Sequence, residues 1–351
     1  MENVRVVVCG VGAMGSLMVQ LLEQRPVVVV GAVDRDPNKA GRDLGEIAGL
    51  GRKTGVTVAP RAAEVLDRVE CDVVMLATTA FAAEAEPHIL AAVQRRRYVV
   101  SIVQELFFPI GKAVECAARI DRAARDAGVA VGAVGINPGF IMDVLPAVCS
   151  YPCWHVDSVE VRRHVDFSPY GPDEMAHIGA GLTEAEFAAG VAAGTIGHIG
   201  LLESAAMVSH CLELDVDELR QSKEPLIAER ERVTPFVKVP PGRACGFRQS
   251  VVGSRAGETV LDFRMVAVLD PRPGDGLELG DHARINGTPN VDVTVREEIS
   301  QKGGLGTSGV AVNTIPLILA APPGFHTIDR LTLPHLWRSR AEGPSVPRVV
   351  R

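Results

Sequence analysis

Over its first 140 residues the chain alternates short apolar runs with segments of helical periodicity. The apolar runs lie at residues 4–9, 27–33, 56–59, 72–77, 98–103 and 129–136, and the helical segments lie at residues 13–24, 39–47, 62–68, 82–95 and 111–127. Val-rich runs with few polar interruptions are typical of strands buried on both faces, and helices between them imply parallel crossovers. We therefore predict a doubly wound α/β domain with a parallel sheet over residues 1–140.

The pattern changes after Pro138-Gly139. The new elements are strand-like runs at residues 156–165 and 259–268, a hairpin formed by residues 283–286 and 291–295, and helical segments at residues 184–193 and 200–214. Residues 215–258 are polar, and their pattern indicates irregular structure. Because several of the runs alternate, we predict an α+β second domain with a mostly antiparallel sheet over residues 141–308.

The last apolar segment follows a glycine-rich stretch at residues 303–309, which indicates a turn. Residues 310–320 then have the composition of a helix, which Pro322-Pro323 would end. This helix is too apolar to be exposed. We expect the C-terminal segment 309–335 to pack back onto the first domain.

A glycine motif connects the first apolar run to the first helical segment. Its sequence is Gly10-Val11-Gly12-Ala13-Met14-Gly15. Gly10 permits a tight turn, Gly12 lets the backbone approach a pyrophosphate, and Gly15 lets helix and strand pack closely. The strand before it, the helix after it and the acid Asp34 at the end of the second run complete the dinucleotide fingerprint. We therefore predict a Rossmann domain that binds NAD or NADP at residues 10–15. The alternative is a glycine turn that binds nothing.

Two residues bear on the choice of cofactor. Asp34 is placed to accept hydrogen bonds from the adenosine ribose hydroxyls and would repel a 2′-phosphate, which favours NAD. Arg35 follows it directly and can hold a phosphate, so NADP stays open. The alternative for Arg35 is a solvated surface side chain.

Further candidates for cofactor binding lie at the predicted strand ends, where ligands of open α/β sheets bind. Thr78 and Thr79 follow the fourth run and either contact the cofactor or cap the next helix. Asn137 follows the sixth run and can bind the nicotinamide carboxamide or the substrate, or it can serve only a turn. Asn313, in the late apolar helix, has the same two interpretations.

Glu105 is the strongest candidate for a catalytic residue. It follows the fifth apolar run and is flanked by Leu106-Phe107-Phe108. Apolar surroundings disfavour the charged carboxylate and adjust it for general acid–base work. The alternative is a helix cap or a surface acid.

The second domain contributes candidates for substrate binding. Arg163 and Tyr170 lie near the end of a long predicted strand, and Phe140 offers an apolar contact. His198 lies in a glycine-rich loop, where a lone histidine is more often structural. Cys149 and Cys153 lack a second pair at zinc-site spacing, so we predict no metal site.

Composition limits the classes of function. The 351 residues carry a net charge of −7 and no basic cluster, which excludes an electrostatic nucleic-acid site. The chain has no run of about 18 apolar residues, so we expect no membrane span. The seven dispersed cysteines, and a first strand that begins at once, favour a cytoplasmic protein.

The chain resembles the 2,4-diaminopentanoate dehydrogenase-like family, which includes native amine dehydrogenases. The resemblance rests on residues 10–15, 34–37, 104–106, 135–140, 178–183, 197–201, 312–316 and 321–324. Two related types fit less well. The sugar dehydrogenase type carries Glu-Lys-Pro where this chain has Gln104-Glu105-Leu106, and the His-His motif of dihydrodipicolinate reductases is absent around Arg163.

The resemblance implies an NAD(P)-dependent amine dehydrogenase, which aminates a ketone with ammonia reductively and catalyses the reverse deamination. It also implies that Glu105 handles ammonia and the amine proton, and that the enzyme is a homodimer. The apolar segments 106–108 and 140–142 lead us to hypothesise a small aliphatic or cyclic ketone/amine pair. The diamino acid, with Arg163 binding its carboxylate, is the alternative. A non-catalytic nucleotide sensor is the alternative from another class.

Overall fold

The first domain is built on a seven-stranded sheet in which all strands run parallel. A computed structural model describes residues 3–297, 299 and 301–331. The strands are β1 Val4–Cys9, β2 Val27–Val33, β3 Val58–Ala59, β4 Val73–Leu76, β5 Tyr98–Ser101 and β6 Ala130–Ala133, and the helices are α1 Ala13–Leu22, α2 Leu44–Ile47, α3 Ala62–Arg68, α4 Ala82–Val93, α5 Gln104–Phe107 and α6 Ala113–Ala127. The strand order β3-β2-β1-β4-β5-β6 places β1 and β4 side by side at the centre.

Burial on both faces explains why these strands are almost entirely apolar. Side chains on one face, such as Val7 and Val74, pack against α3, α4 and α6, and those on the other face, such as Val6 and Val8, pack against α1. A parallel sheet covered by helices on both faces confirms the predicted doubly wound α/β class.

The second domain contains a six-stranded mixed sheet with helices on one face. Its elements are α7 Val144–Cys149, β7 His155–Asp166, α8 Pro172–His177, α9 Glu184–Ala192, α10 Leu201–Cys211, β8 Glu218–Ile227, β9 Arg232–Val233, β10 Lys238–Val239, β11 Ala244–Arg255, β12 Glu258–Val268, β13 Gly280–Thr288 and β14 Val291–Val295. The order is β14-β13-β7-β12-β11-β8, and only β7 and β12 pair in parallel. The mostly antiparallel α+β prediction is confirmed.

The prediction of irregular structure over residues 215–258 is wrong, because β8 and β11 lie there. The strand β8 forms the edge of the sheet and is largely solvated, so its sequence is polar. On β11, buried Phe247, Gln249 and Val251 alternate with more exposed residues. Gln249 interrupts the apolar side of that alternation, which conceals the strand in the sequence.

The C-terminal segment differs from its predicted form. Helix α11 spans Gln301–Ala320, so it begins nine residues before the predicted start at residue 310, and residues 303–309 are helical rather than a turn. A Cβ at Gly304 would lie 2.1 Å from Met14 Cε, so the glycine allows α11 to approach α1 closely. Ile315 and Ile318 lie in the core of the first domain, and β15 (Gly324–His326) then adds to β6. The predicted end at residue 335 falls outside the described residues.

None of the helices within the described ranges combines the length and the apolar character that a membrane span requires.

Candidate active site

The turn between β1 and α1 has the geometry that its glycines predict. Gly10 adopts φ +89°, and a Cβ there would lie 2.3 Å from the carbonyl oxygen of Ala77 on the neighbouring strand end. A Cβ at Gly15 would lie 1.8 Å from the carbonyl oxygen of Gly10. Any side chain at either position would force the backbone apart. These two glycines therefore fix the path of the turn.

The same turn leaves room for a pyrophosphate. Gly12 and Ala13 are exposed, and a Cβ at Gly12 would meet no atom within 4 Å. No side chain caps the N-terminus of the ten-residue helix α1. Its first N–H groups and its dipole therefore point at open space that suits an anion. The residues present fit a dinucleotide at this position.

Asp34 lies at the end of β2 with its carboxylate already hydrogen-bonded. Oδ2 accepts from the backbone N–H of Val11 (2.9 Å) and from Nζ of Lys39 (2.9 Å), and Oδ1 accepts from Asp36 N (3.0 Å). Burial opposes ionisation, but the hydrogen bonds from Asp36, Lys39 and Val11 prevail and lower the pKa of Asp34. Arg35 is exposed. The ribose end of the site thus carries a neutralised carboxylate rather than an isolated negative charge.

A cavity of about 170 Å³ lies between the two domains, at the carboxyl end of the parallel sheet. The first domain contributes Met14 from α1, Gln104 after β5 and Asn137 after β6, among other residues. The polar wall of the second domain consists of Arg163, Tyr170, Glu174 and His198. The structure therefore brings four of the predicted substrate-binding residues, Asn137, Arg163, Tyr170 and His198, to one cavity.

His198 presents a ring nitrogen that has no hydrogen-bond partner among the described residues. Its Nε2 is shielded from solvent and unpartnered, and the ring lies near the backbone of Asn137, which raises its pKa slightly. Burial, followed by the charge of Arg163, lowers the pKa of His198 to about 4. The imidazole is therefore neutral at physiological pH.

A buried glutamine fixes the backbone of His198. Gln249, on β11, is fully buried; its Oε1 accepts from the N–H of His198 (2.8 Å) and its Nε2 donates to the carbonyl of His198 (2.9 Å). Gly200 follows at φ +108°, where a Cβ would lie 2.2 Å from Cδ of Pro138. The loop carrying His198 is thus held against both the second sheet and the Asn137-Pro138 turn.

Arg163 belongs to a buried ion pair at the cavity wall. Its Nη1 lies 2.6 Å and 2.8 Å from the two carboxylate oxygens of Asp281, and both residues are at most 5% exposed. Burial raises the pKa of Asp281, although the charge of Arg163 opposes the shift. The pair has no net charge when ionised, and it places an oriented guanidinium beside the cavity, where its charge still acts on His198.

Glu105 lies at the carboxyl end of β5, as predicted, but it is not among the residues that line the cavity. Its Oε2 accepts from the N–H of Ala82 (2.7 Å), the first residue of α4, whose own N-cap residue Phe81 provides no side-chain cap. Gln104, one residue earlier, lines the cavity instead. Glu105 still lies at the mouth between β4 and β5, because its N–H donates to the carbonyl of Ala80. Its contact with Ala82 caps the preceding helix α4, whereas the alternative role suggested by the sequence was a cap of the next helix.

Thr79 also acts at the start of α4. Its hydroxyl accepts from the N–H of Phe81 (3.2 Å) and donates to Glu84 (2.8 Å). Thr78 lies beside the first glycine turn, since its backbone nitrogen would be 3.1 Å from a Cβ at Gly10. The cofactor role of both threonines stays a prediction, as does that of Asn313, which is partly buried on α11 away from the cavity lining.

The apolar segments expected around the substrate, 106–108 and 140–142, do not line the cavity; its apolar lining comes from other residues, among them Ile136, Val165, Phe167 and Met265. Leu106 and Phe107 are at most 1% exposed within the core of the first domain, and Ile141 and Met142 are equally buried in the second. Phe140, predicted to bind substrate, packs between the two cores rather than against the cavity. These side chains pack in or against the cores, so their apolar character gives no information about the substrate.

Family models divide the chain in the same way as the fold. The dihydrodipicolinate reductase N-terminus matches residues 4–101, and the 2,4-diaminopentanoate dehydrogenase C-terminal domain matches residues 140–343. The chain belongs to the 2,4-diaminopentanoate dehydrogenase family. The predicted family and the class of NAD(P)-dependent oxidoreductase acting on CH–NH2 groups are thereby confirmed.

Individual relatives cover nearly the whole chain. A 2,4-diaminopentanoate dehydrogenase from Acetoanaerobium sticklandii is 34% identical over 338 residues, which is 95% of each chain. An amine dehydrogenase from Streptomyces virginiae is 26% identical over 93% of this chain and 95% of its own. The structure of an amine dehydrogenase from Mycobacterium smegmatis superposes with a TM-score of 0.84 at 28% identity, covering 97% of this chain and 99% of that one.

Sequence reasoning missed several residues at this family member's site. Gln104 and Glu174 line the cavity, Gln249 fixes His198, and Lys39 binds Asp34. Gln249 did leave a signal, since a glutamine among apolar positions of a strand needs buried partners. Lys39 left none, because its contact depends on the path of the loop after β2.

Proposed function

We propose that this chain catalyses NAD(P)-dependent oxidative deamination of an amine that also carries a carboxylate and a second ammonium group, and the reverse reductive amination. The cluster of polar side chains on one wall of the interdomain cavity carries this proposal; apolar side chains such as Val165, Phe167 and Met265 line the rest. Arg163 offers a guanidinium, and Asn137, Glu174 and His198 offer acceptor atoms. Such a wall suits a charged amino acid better than a cyclohexyl or alkyl group, whose burial against it would leave polar atoms unpaired.

The substrate of the sticklandii relative, as its name states, is 2,4-diaminopentanoate. This compound has the three charged groups that the cavity wall can recognise. We therefore favour the diamino acid over the small apolar ketone/amine pair, because segments 106–108 and 140–142 are buried in the cores.

The reaction balances as substrate ammonium, NAD(P)⁺ and water giving ketone, ammonium, NAD(P)H and a proton. The bound nicotinamide supplies only the exchange of a hydride with the amine carbon. The turn at Gly10–Gly15 would hold the dinucleotide phosphates, and the cavity wall would orient the amine carbon. Because an ammonium has no free electron pair, a base must remove its proton before the C=N bond forms.

For that proton we propose Glu105, as the family resemblance implies. Its carboxylate lies at the carboxyl end of the sheet, between β4 and β5, and Ala82 N fixes one of its oxygens. The fixed oxygen orients the other. Glu174, which lines the cavity directly, is the second carboxylate within the site. Variants of Glu105 and Glu174 show which of the two carboxylates removes the proton.

We propose that NAD is favoured and that NADP is also accepted. Asp34 disfavours a 2′-phosphate, but Lys39 neutralises it and Arg35 is exposed beside it. The ratio of kcat/KM for the two cofactors in Lys39→Ala tests the point. We expect this variant to lose use of NADP more than use of NAD, and an unchanged ratio would contradict the assignment.

The substrate proposal is tested by rates of NAD⁺ reduction with 2,4-diaminopentanoate and with cyclohexylamine. We expect kcat/KM to be at least about 100-fold higher for the diamino acid, since an apolar ring leaves several polar groups unpaired. A preference for cyclohexylamine would restore the hypothesis of a small apolar ketone/amine pair.

A further inference from the structure

Two acceptor atoms in the cavity wall are buried without a partner in the described part of the chain. They are Oδ1 of Asn137 and Nε2 of His198. Both residues line the cavity, and the ring of His198 contacts the backbone of Asn137, so the two atoms belong to one site. Buried polar atoms normally have partners, which makes two orphans in one cavity a sign of an absent ligand.

The hydrogen-bond network defines what each atom can do. The neutral imidazole of His198 has one protonated and one unprotonated ring nitrogen, and we assign the proton to Nδ1 because the buried Nε2 has no partner among the described residues. Nε2 then has a free lone pair and can only accept. The amide nitrogen of Asn137 lies 3.5 Å from Sδ of Met265, which leaves Oδ1 as the buried acceptor without a partner among the described residues.

The site therefore requires a ligand with several N–H donors. Glu174 lies on the same wall and interacts electrostatically with His198, so it adds a carboxylate to the two neutral acceptors. An ammonium group has three N–H donors and a positive charge, which matches two neutral acceptors and one anion. A hydroxyl offers one donor and no charge, and a carboxylate offers none.

We propose that Asn137 Oδ1 and His198 Nε2 bind the ammonium group of the substrate that is not oxidised, with Glu174 as its counter-ion. This inference rests on the proposed function and deepens it by assigning the specificity for a second amine. The geometry points to the non-reacting group because His198 and Glu174 lie on the wall of the second domain, beside Arg163. A carboxylate at Arg163 and an ammonium on the acceptor pair would together hold an α-amino acid head.

Gln249 acts as a positioning residue in this assignment. It binds both the N–H and the carbonyl of His198 and does not itself line the cavity. It therefore keeps Nε2 aimed at the ligand without contributing an acceptor.

The test compares 2,4-diaminopentanoate with 4-aminopentanoate, which lacks only the second amine. Three variants are used: His198→Phe removes the acceptor, His198→Gln restores an acceptor oxygen, and His88→Phe makes the same change on the exposed surface of α4. We expect the wild type to prefer the diamino acid. In His198→Phe its KM should rise about 10- to 100-fold, the usual effect of losing a hydrogen bond to a charged group.

We expect the two control measurements on His198→Phe to differ little from those on the wild type. The KM for 4-aminopentanoate and the Kd for NADH should stay within about twofold of wild type, since neither ligand has the second ammonium. We expect His198→Gln to recover part of the selectivity and His88→Phe to retain all of it. Equal losses with both substrates, or a wild type that does not distinguish them, would overturn the inference.

Calorimetric binding of 2,4-diaminopentanoate to the NAD⁺-loaded protein separates this inference from the proposed function. Binding that is lost in His198→Phe, with no turnover in the wild type, would contradict the function and support the ammonium site. Turnover of the diamino acid that is unaffected in His198→Phe would support the proposed function and contradict the ammonium site. Absence of both binding and turnover in the wild type would overturn both.

Discussion

At the scale of single residues, the chemistry of the site depends on which polar atoms already have partners. One oxygen of Glu105 is bound to Ala82, and both oxygens of Asp34 are hydrogen-bonded. Nε2 of His198 and Oδ1 of Asn137, by contrast, have none among the described residues. The sequence identified all four residues as candidates, but it could not show which of their atoms would be free.

The pair of variants Glu105→Gln and Glu105→Ala tests the catalytic role of this residue. Glutamine keeps an oxygen that can accept from Ala82 N but removes the carboxylate, whereas alanine removes both. We expect kcat for amine oxidation to fall about 100-fold or more in both variants, because a positioned base contributes about that factor. We expect the thermal midpoint to fall only in Glu105→Ala, through loss of the helix cap.

Steady-state rates, NADH binding and thermal unfolding of the two variants check this. A Glu105→Gln enzyme with nearly normal kcat would show that Glu105 acts only as the cap of α4. In that case Glu174→Gln becomes the decisive variant, since Glu174 is the carboxylate that lines the cavity.

The depressed pKa of His198 predicts a pH dependence of stability. The pKa is about 4 in the folded protein against an ordinary value of 6.5, set by burial and by Arg163 and Lys223, with Glu174 opposing them. The unfolded chain binds more protons between these values, so this contribution to stability is complete above pH 6.5 and is lost as the pH falls towards 4. The stability advantage of wild type over His198→Phe should shrink by up to about 2 kcal/mol from pH 7 to pH 5.

Urea unfolding of both proteins at the two pH values measures the difference. The comparison with His198→Phe is needed because Asp143 acts in the opposite sense. Burial raises the pKa of Asp143 to about 6, so its contribution is lost as the pH rises from about 4 to 6. A difference between wild type and variant that does not change with pH would contradict the assigned protonation of His198.

At the scale of secondary-structure elements, the sheet ends bring the site together. The glycine turn after β1 could be predicted because its whole geometry is encoded within six residues. The short helix after β5 could not, since a rotation by one residue decides whether Gln104 or Glu105 faces the cavity. The solvated edge strand β8 was missed because its polar sequence reflects its place at the edge of the sheet.

Two glycines of this turn should respond differently to alanine. Gly15→Ala places a Cβ within 1.8 Å of a backbone oxygen, so we expect a loss of about 1–3 kcal/mol in stability and loss of NADH binding. Gly12→Ala meets no atom within 4 Å and has an ordinary φ of −81°, so we expect normal stability but weaker NADH binding. Thermal unfolding and NADH titration distinguish the two outcomes. Unaltered NADH binding in Gly12→Ala would contradict the pyrophosphate position.

At the scale of the whole molecule, two domains enclose a cavity that neither forms alone. The nucleotide turn comes from the first domain, whereas Arg163, Glu174 and His198 come from the second. Alternating apolar segments predicted both domains, because each has its own core. The polar wall of the cavity could not be predicted, since its residues are far apart in sequence. The phenylalanines that neighbour the site residues in sequence pack in the cores instead.

The most direct test of the account is the dependence of NADH oxidation on ammonium, with the ketone derived from 2,4-diaminopentanoate at carbon 4 as substrate. Rates are compared in ammonium chloride and in sodium chloride of equal ionic strength. The account predicts oxidation with ammonium and a rate lower by about 100-fold or more without it, because the hydride is delivered to a C=N bond. Equal rates in the two salts would contradict it and indicate a carbonyl reductase, and no oxidation in either salt would contradict the proposed substrate.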